Sequence, residues 1–448
     1  MRRPRLRSLA GGAAGIAVGV IGGVMLTSVS AAAPTALRPG PALIEASHVP
    51  PLLTLPGEPI RLRYGLVCAP REDGLPCDGA GTVYMRPGMS GAFHPYRLER
   101  GADSSDGRYS VDVPAAVASS PDGFSYYAVL RDKATGATTT VPAGGAAAPQ
   151  LSVPLHDPLS VTLGRHSFGD VRQPVARVAS APWGSGAGDV GLAGSRELGF
   201  TGPSAFDVEP DGTVDLLDSV NGRIVRFGRG ARRLVPVSGD MRLADFAAEP
   251  DGSFDVLDLH GVMHRFMPSG ATAWTQRLAD RTWVKLGRDA TVLQEPSEQW
   301  MPVAGNGAPL APSEQAHAAH ADKPLQSGRG VLVDRVGTSE LRIAEVRGHS
   351  TLRSWRITSE TPLGEVQLVE SRGNGIVVVA HPYTDDLDEY VVLVLGGTGL
   401  VQRFAVASDS WTETAPLARF RFARGALYRL QTTPAGAVVD RFDMEVPQ

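Results

Sequence analysis

Pro210-Asp211-Gly212-Thr213-Val214-Asp215-Leu216-Leu217-Asp218 returns forty residues later as Pro250-Asp251-Gly252-Ser253-Phe254-Asp255-Val256-Leu257-Asp258, and the copies run on to Arg226-Phe227 and Arg265-Phe266. Glycine reaches positive φ without a Cβ clash, so Asp211-Gly212 makes a tight turn between two short apolar runs. A period near forty residues built around such a turn is the spacing of a four-stranded propeller blade. In the first copy the strands are expected at 204–209, 213–218, 223–228 and 232–237.

Weaker copies follow. One spans 283–303, with Asp289-Ala290-Thr291-Val292 at the turn, and another spans 330–357. A further copy pairs 366–379 with 390–404 and ends in Arg403-Phe404; the last runs over 417–442 and ends in Arg441-Phe442. The expectation is an all-β propeller over residues 158–448 with six blades, five and seven being the alternative counts. The last blade stops after its third strand, and residues 173–180 are expected to supply the missing outer strand and close the ring, which leaves no sheet edge open. Phe227, Phe266, Phe404 and Phe442 are expected to fill the layers between blades, with the adjacent arginines turned away. Asp218 and Asp258 are expected to cap the turns after their strands with backbone hydrogen bonds.

Upstream, residues 48–155 read as a separate all-β block. Ile60, Leu62, Tyr64 and Leu66 alternate with Arg61, Arg63 and Gly65, the period-two pattern of a strand with one buried face. Further strands are predicted at 82–86, 93–98, 109–113, 124–131 and 138–141, and so many short strands suggest a β-sandwich. Residues 34–47 read as a Pro/Ala-rich linker, and Gly144-Gly145-Ala146-Ala147-Ala148-Pro149 marks the join to the propeller.

Arg2, Arg3, Arg5 and Arg7 precede an apolar run over 9–29 and then Ala31-Ala32-Ala33, the three zones of a secretory signal peptide over residues 1–33, cleaved near residue 32. An uncleaved N-terminal anchor and twin-arginine export are the competing readings of the same segment. The formal net charge of −4 becomes −8 once these four arginines are removed, because residues 1–33 hold no Asp or Glu. A mildly acidic body without a basic tract argues against nucleic acid or an anionic lipid surface as partner. The chain has two cysteines, Cys68 and Cys77, flanking a Gly/Pro/Asp turn sequence. In an exported chain they are expected to form a disulfide, stabilising by at most about 2.5–3 kcal/mol because the loop is short.

Two resemblances add to this reading. Gly107-Arg108-Tyr109-Ser110-Val111-Asp112-Val113-Pro114 with Phe124-Ser125-Tyr126-Tyr127-Ala128-Val129-Leu130-Arg131-Asp132 resembles the paired strands of Ig-like or fibronectin-like modules of bacterial secreted proteins. Gly202-Pro203-Ser204-Ala205-Phe206-Asp207-Val208-Glu209-Pro210-Asp211-Gly212, with Asp218-Ser219-Val220-Asn221-Gly222-Arg223-Ile224-Val225-Arg226-Phe227, resembles an NHL repeat. In the second copy Asn221 has no counterpart, and Arg223-Ile224 become Val262-Met263. The resemblance implies a six-bladed propeller of a class that spans binding scaffolds and metal-using hydrolases and lyases, so it leaves chemistry open.

A metal in the channel would need carboxylates, Asn or His projecting from inner strands, and Asp207, Glu209 and Asp245 are the candidates. The acidic run Asp385-Asp386-Leu387-Asp388-Glu389 after His381 could offer oxygen ligands to calcium, but it lacks the glycine and alternating spacing of a calcium loop. His317 and His320 lie in an Ala/Pro-rich stretch without a third ligand, and Gly194-Ser195-Arg196 lacks the strand-to-helix setting of a nucleophile elbow. No catalytic residue and no cofactor is therefore assigned. The reading is an exported or envelope-associated, non-enzymatic binding or scaffold protein whose propeller faces a protein or an envelope glycan. The alternative is a metal-dependent hydrolase or lyase with its site in the channel.

Overall fold

The computed structural model describes residues 44–68, 78–101, 108–277 (save 196, 198, 229, 231, 240, 242 and 243), 286, 292–294, 300–302, 323–325 and 329–444 (save 348, 349, 414 and 415). Nearly all of its regular structure is strand. Helical structure among the described residues amounts to Ala115–Ala118 and a 3-10 turn at Gly145–Ala147. No helix among them is long and apolar enough to cross a membrane.

The N-terminal block is two sheets around one core. The first runs in the order Ile44–Ser47, Arg61–Cys68, Arg108–Asp112, Glu99–Arg100. The second runs Leu53–Thr54, Gln150–Pro154, Phe124–Asp132, Gly79–Pro87, His94–Arg97, with Thr138–Val141 also paired to Phe124–Asp132. Leu62, Tyr64 and Leu66 from one sheet meet Val83, Met85, Tyr126 and Leu130 from the other, as the alternation requires. The expected linker over 34–47 is shorter than the sequence suggested. Ile44–Ser47 is an edge strand antiparallel to Arg61–Cys68, because Ile44 and Ala46 pack on the core while Glu45 and Ser47 face out. Cys68 ends its strand, and Cys77 lies outside the described residues.

Beyond residue 158 the sheets are antiparallel meanders stacked face to face, the arrangement of a propeller. Sheet A is Ala205–Val208, Val214–Asp218, Arg223–Phe227, Arg233–Pro236; sheet B is Asp245–Ala248, Phe254–Leu257, Val262–Phe266, Thr272–Arg277. A two-stranded ribbon, Val292–Gln294 with Trp300–Pro302, falls in the 283–303 copy; of its expected turn residues Val292 begins the first strand, and Asp289, Ala290 and Thr291 lie outside the described residues. Sheet C is Lys323–Pro324, Gly330–Val336, Glu340–Arg347, Ser350–Thr358. Sheet D is Leu363–Arg372, Gly375–Pro382, Glu389–Gly396, Gly399–Ala407, and sheet E is Phe420–Ala423, Ala426–Thr433, Gly436–Asp443.

The fourth strand of sheet E is Ala176–Pro182, antiparallel to Gly436–Asp443, the pairing expected of residues 173–180. A second upstream strand escaped the sequence reading: Leu159–Thr162 pairs in parallel with Ser350–Thr358 and widens sheet C to five strands.

Sheets covered on both faces explain the continuous apolar runs. In Gly375–Pro382, Ile376, Val378 and Ala380 pack toward sheet C with Leu341, Ile343 and Trp355, while Val377 and Val379 pack toward sheet E with Phe420, Leu427 and Phe442. Ala179, Ala181, Leu430 and Val439 of sheet E meet Phe206, Leu216 and Val225 of sheet A. Leu217 and Ile224 of sheet A then meet Phe246, Phe254 and Phe266 of sheet B. Phe266, Phe404 and Phe442 fill these layers as expected, each burial stabilising by about 2–3 kcal/mol, and Phe227 lies half-buried at the margin of the E–A layer.

The repeated turns behave as read. Gly212 and Gly252 adopt φ of 95° and 79°, and their amides donate to the Glu209 and Glu249 carbonyls at 2.9 Å. Asp218 accepts within its turn from the Asn221 amide at 3.4 Å, the Asn221 side chain at 2.8 Å and Arg223 at 2.9 Å, and from the distant Gly191 amide at 2.8 Å. In the second copy, which lacks both Asn221 and Arg223 counterparts, Asp258 accepts instead from the His260 and Val262 amides at 2.8 Å.

Sheet C has one face on sheet D. Its other face, through Leu332, Ala344 and Val346, packs on Leu52, Leu53 and Leu155 of the sandwich. The Leu53 amide donates to Asp334 at 3.0 Å, and buried Arg342 donates to the Leu53 carbonyl at 3.0 Å and pairs with Glu58 at 2.7 Å. The sandwich is thus docked on a sheet face. Leu53 is fully buried there, so Leu53→Ala should cost about 2–4 kcal/mol in urea denaturation, the usual range for a truncated core leucine. A loss below about 0.5 kcal/mol would show that the contact carries no stability.

Candidate functional site

Asp207 and Asp245, two of the three channel candidates, lie on the first strands of sheets A and B, both fully buried. Each reaches the next stretch of backbone: Asp207 accepts from the Ala248 amide at 3.1 Å, and Asp245 from the Leu286 amide at 2.8 Å. Between them stands Arg421 from the first strand of sheet E, 3.7 Å from Asp207 and 3.3 Å from Asp245. It also donates to the Phe246 carbonyl at 3.1 Å. Arg421 therefore reaches past sheet A to sheet B and brings the two carboxylates into one Asp-Arg-Asp group. Carboxylates engaged by amides and a guanidinium serve as structural anchors, and the described residues hold no group of three side chains suited to a metal.

Glu209 is not part of this group. It pairs with Arg226, which also holds Asp215 at 2.9 Å. The second copy repeats the arrangement: Arg265 contacts Asp255 at 2.7 Å and Glu249 at 3.6 Å. Cross-strand register sets Asp215 opposite Arg226 and Asp255 opposite Arg265, so the arginines of the Arg-Phe pairs neutralise the carboxylates of the neighbouring strand. Burial pushes Asp215 up to about 8 against the pull of Arg226, with Glu209 adding repulsion. Burial and the Asp255 charge likewise push Glu249 up to about 7. One arginine cannot balance two buried carboxylates, and each hairpin holds a proton near neutrality.

The chemically distinctive surface lies elsewhere, where the first strands of sheets E and A begin. Trp183 follows the closing strand, and its indole N–H donates to the Thr433 carbonyl at 3.0 Å. Phe200 sits in a hairpin of Ala193–Ser195 with Gly199–Thr201. Trp411 lies between sheets D and E, its amide bonded to the Thr432 carbonyl at 3.1 Å, and the same segment joins sheet A where the Leu417 amide meets the Ser204 carbonyl at 2.7 Å. Phe200 stacks on Trp411 with ring centroids 5.1 Å apart, and Trp183 lies 5.8 Å from Trp411. Trp411 is 36% exposed, and Glu413, two residues on, is exposed as well. A Cβ at Gly199 would strike Glu413, so the hairpin approaches this segment closely. Three aromatic residues so far apart in sequence leave no local signal.

The remaining candidates disperse. Asp388 bonds His381 at 2.9 Å, while Glu389 turns inward to buried His166 at 2.8 Å and to the Gly169 amide at 2.6 Å, so the acidic run does not converge. Ser195 donates to Glu197 at 2.7 Å within its hairpin. His317 and His320 lie outside the described residues.

No protein-family model and no curated protein sequence matches the chain. Among solved structures it is similar to a virginiamycin B lyase from Staphylococcus aureus, at 11% identity over 56% of this chain and 87% of that one, TM-score 0.33. It is also similar to BamB from Moraxella catarrhalis, at 13% identity over 60% and 99%, TM-score 0.30, and to YCF48 bound to a D1 peptide, at 11% over 55% and 79%, TM-score 0.31. The propeller assignment itself rests on the stacked sheets and the cores between them.

Proposed function

We propose that this chain is an exported, non-enzymatic binding or scaffold protein that presents the aromatic end of its propeller to a protein partner or an envelope glycan. In this reading residues 1–33 direct export, Cys68 and Cys77 form the disulfide suited to that compartment, and the sandwich is an Ig-like module. The ribbon Val292–Gln294 with Trp300–Pro302 stands for the remaining blade beside sheets A to E, giving six blades related to NHL repeats.

One observation carries the reading: Trp183, Phe200 and Trp411 gather at one end of the sheets with Trp411 more than a third exposed. Tryptophan is enriched among residues that dominate binding energy, because its ring buries much area at little conformational cost. The rival reading in the channel draws no support from Asp207, Asp245 and Glu209, whose charges are met by Arg421 and Arg226. Affinity capture from envelope extracts should compare the wild type with Trp411→Ala, which removes exposed surface and leaves the fold intact. A partner retained by wild type and lost at least tenfold on substitution is the expected result; equal retention by both would overturn the assignment to this end.

A further inference from the structure

A second concave surface lies where the sandwich meets sheet C, independent of the aromatic end. A cleft of about 830 Å³ opens between the solvent face of the sandwich strands Arg61–Cys68 and Arg108–Asp112 and the end of Gly330–Val336. That volume is typical of small-molecule sites, which favour junctions between packed modules.

Its charge runs against that of the chain. The lining includes five arginines, Arg61, Arg63, Arg108, Arg335 and Arg342, but only two carboxylates, Glu58 and Asp334, in a protein of formal net charge −4. The carboxylates serve the docking contact: Glu58 pairs with Arg342 at 2.7 Å, and Asp334 accepts from the Leu53 amide at 3.0 Å. Asp112 clamps Arg61 at 2.6 Å. Arg63, exposed on the same sheet face, has its backbone fixed, because its carbonyl bonds His48 at 2.7 Å and His48 in turn bonds the Tyr126 hydroxyl at 2.8 Å. Arg342 is met by Glu58 and by Glu340 at 2.6 Å, and Arg61 by Asp112, so Arg63 is the arginine that brings positive charge to this wall, and such charge lining a cleft draws anions from solution.

We propose that this cleft binds a small organic anion, a carboxylate or phosphate on a partly apolar body. The planar guanidinium fork matches both groups through paired hydrogen bonds. Pro50, Pro59, Ile60 and Val336 line the same cleft and give the body of such a ligand apolar surface to cover. Arg63, on the wall opposite Gly330–Val336, is the side chain that grips the anionic group.

Calorimetric titration of the purified chain with phenyl phosphate and with benzoate tests this, with benzyl alcohol as the neutral control. The expected result is one site for at least one of the anions, weakened about tenfold or more by Arg63→Ala and also by raising the salt to 0.5 M, with no binding of benzyl alcohol. The stronger anion identifies the headgroup class. Arg63→Lys keeps the charge without the fork and should bind between wild type and Arg63→Ala; thermal melting confirms that both variants fold. Binding of neither anion, equal binding of benzyl alcohol, or anion binding unchanged in Arg63→Ala would overturn the proposal.

Discussion

Arg226→Met lowers the folding free energy by about 3–5 kcal/mol above pH 8, where Asp215 is ionised in the fold, the cost of leaving buried carboxylates without their cation. Asp215 is fully buried and Glu209 largely so, and Arg226 contacts both. Methionine preserves most of the packing volume against Phe254, over whose ring the guanidinium now lies at 5.5 Å, so the loss reads the charge itself. Urea denaturation measures it; a loss below about 1 kcal/mol would mean that the hairpin does not depend on the ion pair.

The pH profile separates this cause from packing. Asp215 titrates near 8 in the fold against an ordinary 3.8, chiefly through burial. Between those values the native state keeps a proton that the unfolded chain releases, so this group makes stability fall as pH rises from about 4 to 8 and level off above. Without Arg226, Asp215 loses the charge that favours its ionised form. The deficit of Arg226→Met should therefore widen as pH rises through 8, where Asp215 ionises beside Arg226 but not without it, and shrink below that pH. A packing defect would give a deficit independent of pH.

What the sequence could reveal was local. The Asp-Gly turn demands positive φ at Gly212 and Gly252, and that demand is written in adjacent residues. The apolar runs over 376–380 and 391–395 likewise announce sheets buried on both faces. Contacts across long separations were hidden. Nothing in Phe420-Arg421-Phe422 announces that Arg421 meets Asp207 and Asp245. Nothing local distinguishes the layer of Leu332, Ala344 and Val346, which faces Leu53 of the sandwich, from one facing another blade. Leu159–Thr162 is too short to advertise a parallel partner two hundred residues on. The aromatic group failed for the same reason: Trp183, Phe200 and Trp411 meet only because the closing strand carries Trp183 back to the end of the chain.

Loss of that closing strand should have the other large effect. Ala176–Pro182 pairs along Gly436–Asp443, and Ala179 and Ala181 fill the layer between sheets E and A. Ala181 is 1% exposed, so Ala181→Asp sets an unpartnered carboxylate among Phe206, Val439 and Leu430, where the cost is several kcal/mol. Detaching the strand bares the backbone of Gly436–Asp443 as a sheet edge, a template for pairing with other copies. The variant is therefore expected to lose most of its soluble yield and to elute as aggregate in size-exclusion chromatography, with dye binding to newly exposed apolar surface. Ala181→Ser, nearly the same size and uncharged, should remain monodisperse and lose only about 1–2 kcal/mol. A soluble, cooperatively folding Ala181→Asp protein would show that sheets A and E do not depend on one another through this strand, and the ring read from the repeat would have to be abandoned.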